Sequence, residues 1–306
     1  MEAVLNRRFS LGDFLLLLVA LTWGGSYLAI KELTKVSDPA ALLTLRFIPA
    51  AAFLWLFWLK DRTRFSRNEL WIGAAFGVSQ VIILNLEAWS VKFTSATNGG
   101  LIVSLAILMT PVFEGWFTRR WQPPRFFIAA LLSVVGVALL ILGNGFVTPN
   151  LGDLLMLGAA VLRATHFGAA GVLTQGKPYS PLNLTVLQVS TAALIMTISA
   201  PGPALAAAAV YQPEHWLLIV FISLFCTSLA FIAMTWAIKH TSATRTSLLL
   251  GTEPIFATLI ATILGGEAIG PLGIFGAVVI ISATYWGQAI ELKHRSGMQP
   301  EPALAQ

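Results

Sequence analysis

The chain has one cysteine, Cys226, so an intramolecular disulfide is excluded, and its place inside an apolar stretch says nothing about redox compartment. Charge is scarce as well. Charged residues make up 11% of the chain and hydrophobic residues 57%, against about 25% and roughly 45–50% in soluble domains. An ordinary soluble domain is thereby excluded. The sequence contains no G-x-x-x-x-G-K-[ST], C-x-x-C, H-E-x-x-H or G-x-S-x-G pattern, so ATP hydrolysis, a zinc site and a serine nucleophile of the usual kinds lack support. The four histidines, His166, His215, His240 and His294, are scattered over different segments. Neither a metal nor a cofactor is expected.

What is present is a succession of apolar segments, near 12–30, 40–59, 70–90, 97–117, 126–143, 152–173, 182–200, 216–238, 246–264 and 271–290. Each is about long enough to cross a bilayer as a helix. The expected fold class is therefore an all-α integral membrane protein with ten transmembrane helices and short connections. Of the 19 Lys and Arg residues, 14 fall on the side of the N-terminus and three, Lys31, Lys35 and Lys92, on the other, while Arg46 and Arg163 lie inside spans. This bias places both termini in the cytoplasm, because Lys and Arg resist translocation. The net charge of +5 thus reports topology and implies no nucleic-acid partner. Arg7-Arg8 and Leu11–Leu21 have the outline of a signal peptide but no small-residue cleavage site follows, so a retained first helix is expected.

The same long pattern occurs twice, about 140 residues apart. Leu11-Gly12-Asp13 opens a stretch carrying Trp23 and Tyr27, and Leu151-Gly152-Asp153 opens one carrying Arg163 and Phe167 at the same offsets. Trp89-Ser90-Val91-Lys92-Phe93-Thr94-Ser95-Ala96-Thr97 returns as Trp236-Ala237-Ile238-Lys239-His240-Thr241-Ser242-Ala243-Thr244, each before a segment interrupted by proline, Pro111 or Pro254. Five segments per copy is an odd number. The second copy, 152–290, must then enter the membrane from the opposite side to the first, 12–143, leaving 1–11 and 291–306 as cytoplasmic tails. Inverted repeats of this kind are a mark of secondary transporters working by alternating access.

Several of these fragments resemble the EamA-type proteins of the drug/metabolite transporter superfamily: Trp23-Gly24-Gly25-Ser26, Leu45-Arg46-Phe47, Lys92-Phe93-Thr94-Ser95-Ala96 with Thr110-Pro111-Val112-Phe113, and Lys239-His240-Thr241-Ser242-Ala243 with Glu253-Pro254-Ile255-Phe256 and Gly265-Gly266-Glu267. The resemblance runs from about Gly12 to Gln288. It implies ten helices, inverted five-helix repeats, cytoplasmic termini, residence in the inner membrane and movement of small metabolites, amino-acid exporters being prominent among bacterial members. One departure stands out: the family usually carries an aromatic residue near the position of Arg163.

Polar side chains inside apolar spans are expected to face a cavity or one another, since an unsatisfied polar group in hydrocarbon costs several kcal/mol. Arg163, near the middle of its span, shares one helical face with His166 and Phe167, and the matching face of the first helix is Trp23, Ser26 and Tyr27. A cationic and an aromatic face meeting near the midplane would suit a carboxylate with an organic side chain. A structural pairing of Arg163 with a buried glutamate is the competing role. Helices four and nine add Asn98 and Ser247 as candidates beside their prolines. In the third helix Gln80 and Glu87 lie on one face and Asn85 and Trp89 on nearly the opposite one, with Trp236 the repeat partner of Trp89; only one face is expected to line a pocket. Glu87 is expected to be solvated near the outer surface. Arg46 is expected to form a structural ion pair, Glu114 a surface pair with Arg119 or Arg120, and Gly73 and Gly77 a tight helix crossing.

The expected function is export of small metabolites, most simply amino acids, with membrane lipids as the surroundings and a monomer as a sufficient unit. A lipid or polyprenyl-phosphate carrier of the same superfamily is the main alternative, and it would want several convergent cations. An intramembrane enzyme and a channel or scaffold are weaker ones.

Overall fold

The computed structural model describes residues 10–93, 102–141, 150–265 and 270–296, and among them every regular element is helical. In chain order these are α1 (Leu11–Leu33), α2 (Pro39–Asp61), α3 (Arg67–Phe93), α4 (Ala106–Thr118), α5 (Pro124–Ile141), α6 (Leu151–Thr174), α7 (Pro181–Ser199), α8 (Pro201–Val210), α9 (Pro213–Ser223), a π-helical segment (Leu224–Leu229), α10 (Ala230–His240), α11 (Ala243–Leu250), α12 (Glu253–Gly265) and α13 (Pro271–Ser296). Proline recurs at helix starts, where its missing N–H costs nothing. The doubled Leu-Gly-Asp motif also has a local cause. Ser10 and Asp13 form a reciprocal capping box at the start of α1, and Asn150 with Asp153 does the same for α6.

Eight stretches are long and apolar enough to cross a membrane, with α9, the π-helical segment and α10 forming one of them and α11 with α12 another. Two shorter apolar helices, Ile102–Thr118 and Pro124–Leu140, occupy the fourth and fifth sequence segments. The connection between the seventh and eighth apolar segments contains the short helix α8.

Helix pairing fixes the bundle. α5 packs on α13, α3 on both α6 and α7, α2 on α7, α4 on α6, and α1 on α10, α11 and α12. Small residues sit at the closest crossings. A Cβ on Gly77 would lie 2.5 Å from Cβ of Thr191 and one on Gly73 2.4 Å from Cβ of Leu187, so the α3–α7 crossing needs glycine. Gly136 and Gly276 perform the same task between α5 and α13. The main buried cluster includes Leu16, Phe47, Phe76, Phe167, Phe231 and Met234, drawn from five helices.

Two irregularities interrupt the spans. At Leu224–Leu229 the backbone widens to a π-helix, and the Thr227 and Ser228 hydroxyls bond back to the Ile222 and Ser223 carbonyls. π-Bulges free backbone carbonyls and often mark functional sites. The second break separates α11 from α12 at Gly251-Thr252, just ahead of Pro254, whereas α4 runs through Pro111.

Candidate functional site

Two charged clusters lie inside the bundle, and sequence reasoning foresaw only part of one. In the first, Arg163 of α6 donates to Glu87 of α3 in an ion pair, each side chain about a fifth exposed (21% and 19%). Its guanidinium carbon lies 5.9 Å from the Trp23 ring centroid, within cation–π range. The expected meeting of a cationic α6 face with an aromatic α1 face is therefore present. Trp23 is held from behind. Its Nε1 donates to the Cys226 carbonyl at 2.8 Å, and its ring meets Phe231 edge-on at 6.4 Å.

Glu87 corrects the sequence expectation, since it pairs with Arg163 instead of standing solvated. Arg46 is a second correction. Its Nε donates to the Thr227 hydroxyl at 2.6 Å and its Nη2 to the Cys226 carbonyl at 3.1 Å, and among the described residues no carboxylate lies within ion-pairing distance. A buried guanidinium is thus held by neutral acceptors of the π-helical segment. That segment supplies one carbonyl to both Trp23 and Arg46. The available signal was the polar trio Cys226-Thr227-Ser228 in the middle of an apolar span.

The remaining candidates divide among other places. His166 is buried against the Phe76 ring at 4.8 Å and bonds Ser79 at 2.6 Å. The Ser79 hydroxyl also lies 2.9 Å from the Phe76 carbonyl, and the imidazole tautomer decides which partner donates in the Ser79–His166 pair. Gln80 accepts from Gln188 of α7 at 3.4 Å, and Asn85 donates to the Val81 carbonyl at 2.9 Å with Met196 beside it. These residues serve the contacts of α3 with α6 and α7. α3 is packed against α6 on one side and α7 on another.

Trp236 stacks on His240 with ring centroids 4.6 Å apart, and its edge is 3.1 Å from where a Cβ on Gly12 would sit. That is the first turn of α1, about 16 Å along the axis from Trp23 at 1.5 Å per residue. Ser247 is buried in α11 with its hydroxyl on the Thr244 carbonyl at 3.0 Å. Neither joins the Arg163 cluster through these contacts. The side chain of Tyr27 and all of Asn98 lie outside the described residues.

The second cluster lies at the N-terminal side of the bundle. Arg245 of α11 grips Asp13 of α1 with two bonds of 2.6 Å, and its Nη1 is 3.5 Å from Glu291 of α13. All three side chains are at most 3% exposed. Glu114, expected at the surface, is buried and accepts the Ala243 and Thr244 amides at 3.1 and 2.7 Å, capping α11. One polar network therefore ties α1, α4, α11 and α13 together. Beside it opens a cavity of about 600 Å³, whose lining includes Thr118, Arg120, His240, Arg245, Glu291 and Arg295.

The two clusters can do different work. A pair that is partly wet and flanked by an aromatic ring can exchange its partner for a ligand, whereas a dry bidentate clamp resists exchange.

Comparison with known proteins agrees with this architecture. The family model of the EamA-like transporter family matches residues 10–142 and again 150–286. A protein of Archaeoglobus fulgidus described as an uncharacterized transporter is 28% identical over 283 residues, covering 89% of this chain and 83% of its own. Uncharacterized transporter YyaM of Bacillus subtilis is 24% identical over 213 residues, 67% of each chain. A solved crystal structure superimposes with a TM-score of 0.73 at 17% identity, covering 92% of this chain and 99% of its own, which supports the fold alone. With the family model matched over both halves, the chain belongs to the EamA-like transporter family and is a multi-pass membrane transporter and not an enzyme.

Proposed function

We propose that the chain is a secondary transporter that exports amino acids or closely related metabolites across the inner membrane by alternating access. In this reading ten helices cross the bilayer as two inverted repeats, 12–143 and 152–290, with tails 1–11 and 291–306 in the cytoplasm. The helix pairing supports it: exchanging the two halves turns the α3–α6 contact into α10–α1 and the α4–α6 contact into α12–α1, while α5–α13 and α2–α7 map onto themselves. A pseudo-two-fold would produce that pattern. The direction, outward, comes from the family resemblance.

The observation that carries the substrate class is Arg163, paired with Glu87 beside the Trp23 ring. An amino acid carries both charges needed to part that pair. Its carboxylate takes Arg163, its ammonium group takes Glu87, and its side chain lies against Trp23. Tyr27, Gln80, Asn85, Asn98, His166, Trp236 and Ser247 remain candidates for shaping the path.

A second reading has one observation in its favour. Arg46, a buried guanidinium without a carboxylate partner among the described residues, adds a cation near the same site, as a phosphate-bearing lipid carrier would require. Counterflow in proteoliposomes separates the two. Labelled amino acids should exchange against an internal pool and be competed by other amino acids; exchange of organic phosphates alone would contradict amino-acid export.

A further inference from the structure

The network at the N-terminal side contains more acid than its guanidiniums balance. Asp13, Glu114 and Glu291 are all buried, and they face one buried guanidinium, Arg245, and one partly exposed, Arg295. Glu114 is met by the α11 amides. Asp13 receives two guanidinium bonds of 2.6 Å and accepts the Ser10 amide at 2.6 Å. Glu291 is left with the poorest share. Its Oε1 accepts from Ser242 at 2.8 Å and lies 3.6 Å from Arg295, while its Oε2, sealed from solvent, lies 3.5 Å from Arg245 Nη1 and makes no hydrogen bond.

An ionised carboxylate with a sealed oxygen that no hydrogen bond satisfies is costly in the low dielectric of a buried site. A proton on Glu291 removes that charge. It also suits the geometry of Arg245, which makes two bonds of 2.6 Å to Asp13 and approaches Glu291 only to 3.5 Å. An ionised Glu291 would compete with Asp13 for that guanidinium and so loosen α1 from α11. The adjoining cavity gives the site a route to water on the N-terminal side, past Arg120, His240, His294 and Arg295 at its rim.

We infer that Glu291 is a proton-binding site, protonated while the Asp13–Arg245 clamp is closed and ionised when it opens, and that transport is thereby coupled to protons. The coupling rests on the transport reading above. The proton site itself does not.

Two measurements on the full-length protein in lipid test it separately. In infrared spectra at neutral pH, the wild type should show the carbonyl band of a protonated carboxyl group that Glu291→Gln lacks, and identical spectra would overturn the proton site. In proteoliposomes, an imposed pH gradient should stimulate wild-type amino-acid transport several-fold, and Glu291→Gln should keep exchange at equal concentrations while losing the stimulation. Stimulation retained in Glu291→Gln, or absent from wild type, would overturn the coupling. Should Glu291→Gln not fold, Glu291→Asp serves instead, with a shifted carboxyl band and a shifted pH midpoint of stimulation expected, and the absence of both shifts overturning the site. If no amino acid exchanges in wild type, the export reading fails by itself, and the infrared result still decides the proton site.

Discussion

The two buried arginine clusters invite direct comparison, because both join helices from different halves of the chain and both pair a guanidinium with a carboxylate. Their surroundings differ. Arg245 and Asp13 share two short bonds and are almost wholly buried, whereas Arg163 and Glu87 remain about a fifth exposed beside the Trp23 ring. Dry, bidentate geometry favours persistence, because removing one partner strands a charge in low dielectric. Partial exposure favours exchange, because water and a ligand can replace the partner as the pair separates. A transporter needs both kinds of pair: one that holds a side of the bundle shut and one that releases its partner to a substrate.

Breaking the clamp should have the largest effect. Arg245→Ala leaves Asp13 buried without its guanidinium, a loss of about 3–5 kcal/mol in stability for a buried pair. Thermal unfolding in detergent should show it well below wild type and below Arg163→Ala, and equal melting of the two mutants would erase the contrast. Thr227→Val comes next. It removes the acceptor of Arg46 Nε and should cost about 1.5–3 kcal/mol, the usual worth of a bond to a charged group. A wild-type melting curve for that mutant would mean the π-helical hydroxyl does not hold Arg46. The smallest effect is expected from Lys35→Ala, since Lys35 and Glu32 form an ion pair with side chains 59% and 44% exposed. About 1 kcal/mol or less should be lost, as for other surface pairs, and a larger change would show that exposure is the wrong basis for ranking these contacts.

Much of the bundle was legible because hydrophobic length and helix-packing glycines act locally. The apolar segments appear as helices, and Gly73 and Gly77 were read correctly as a crossing point. Partners 76 and 232 residues apart were not legible, because nothing in the spacing of Glu87 and Arg163, or of Asp13 and Arg245, says that they meet. Asp13 was visible only as part of a repeated motif, although Ser10 three residues before it is a capping-box signal. Arg245 looked like one more cytoplasmic cation, and burial changed its meaning. The neighbours of α3 were not legible for a different reason: a helical wheel tells which residues share a side, and not that α6 covers one side and α7 another. The π-helical segment left almost no trace, since one extra residue per turn alters hydrogen bonding without altering composition.

The exchange of Glu87 for a substrate carboxylate is tested most directly by comparing an amino acid with its amide in wild type and Arg163→Ala. Binding to the purified protein should favour the free carboxylate in wild type and show no such preference in Arg163→Ala. The expected loss is about 1.5–3 kcal/mol, roughly 10- to 150-fold in affinity, with Arg163→Lys recovering only part because an ammonium group cannot form the bidentate fork. A mutant that keeps the full preference for the carboxylate would show that Arg163 serves Glu87 alone, as a structural partner, and that the substrate is recognised elsewhere.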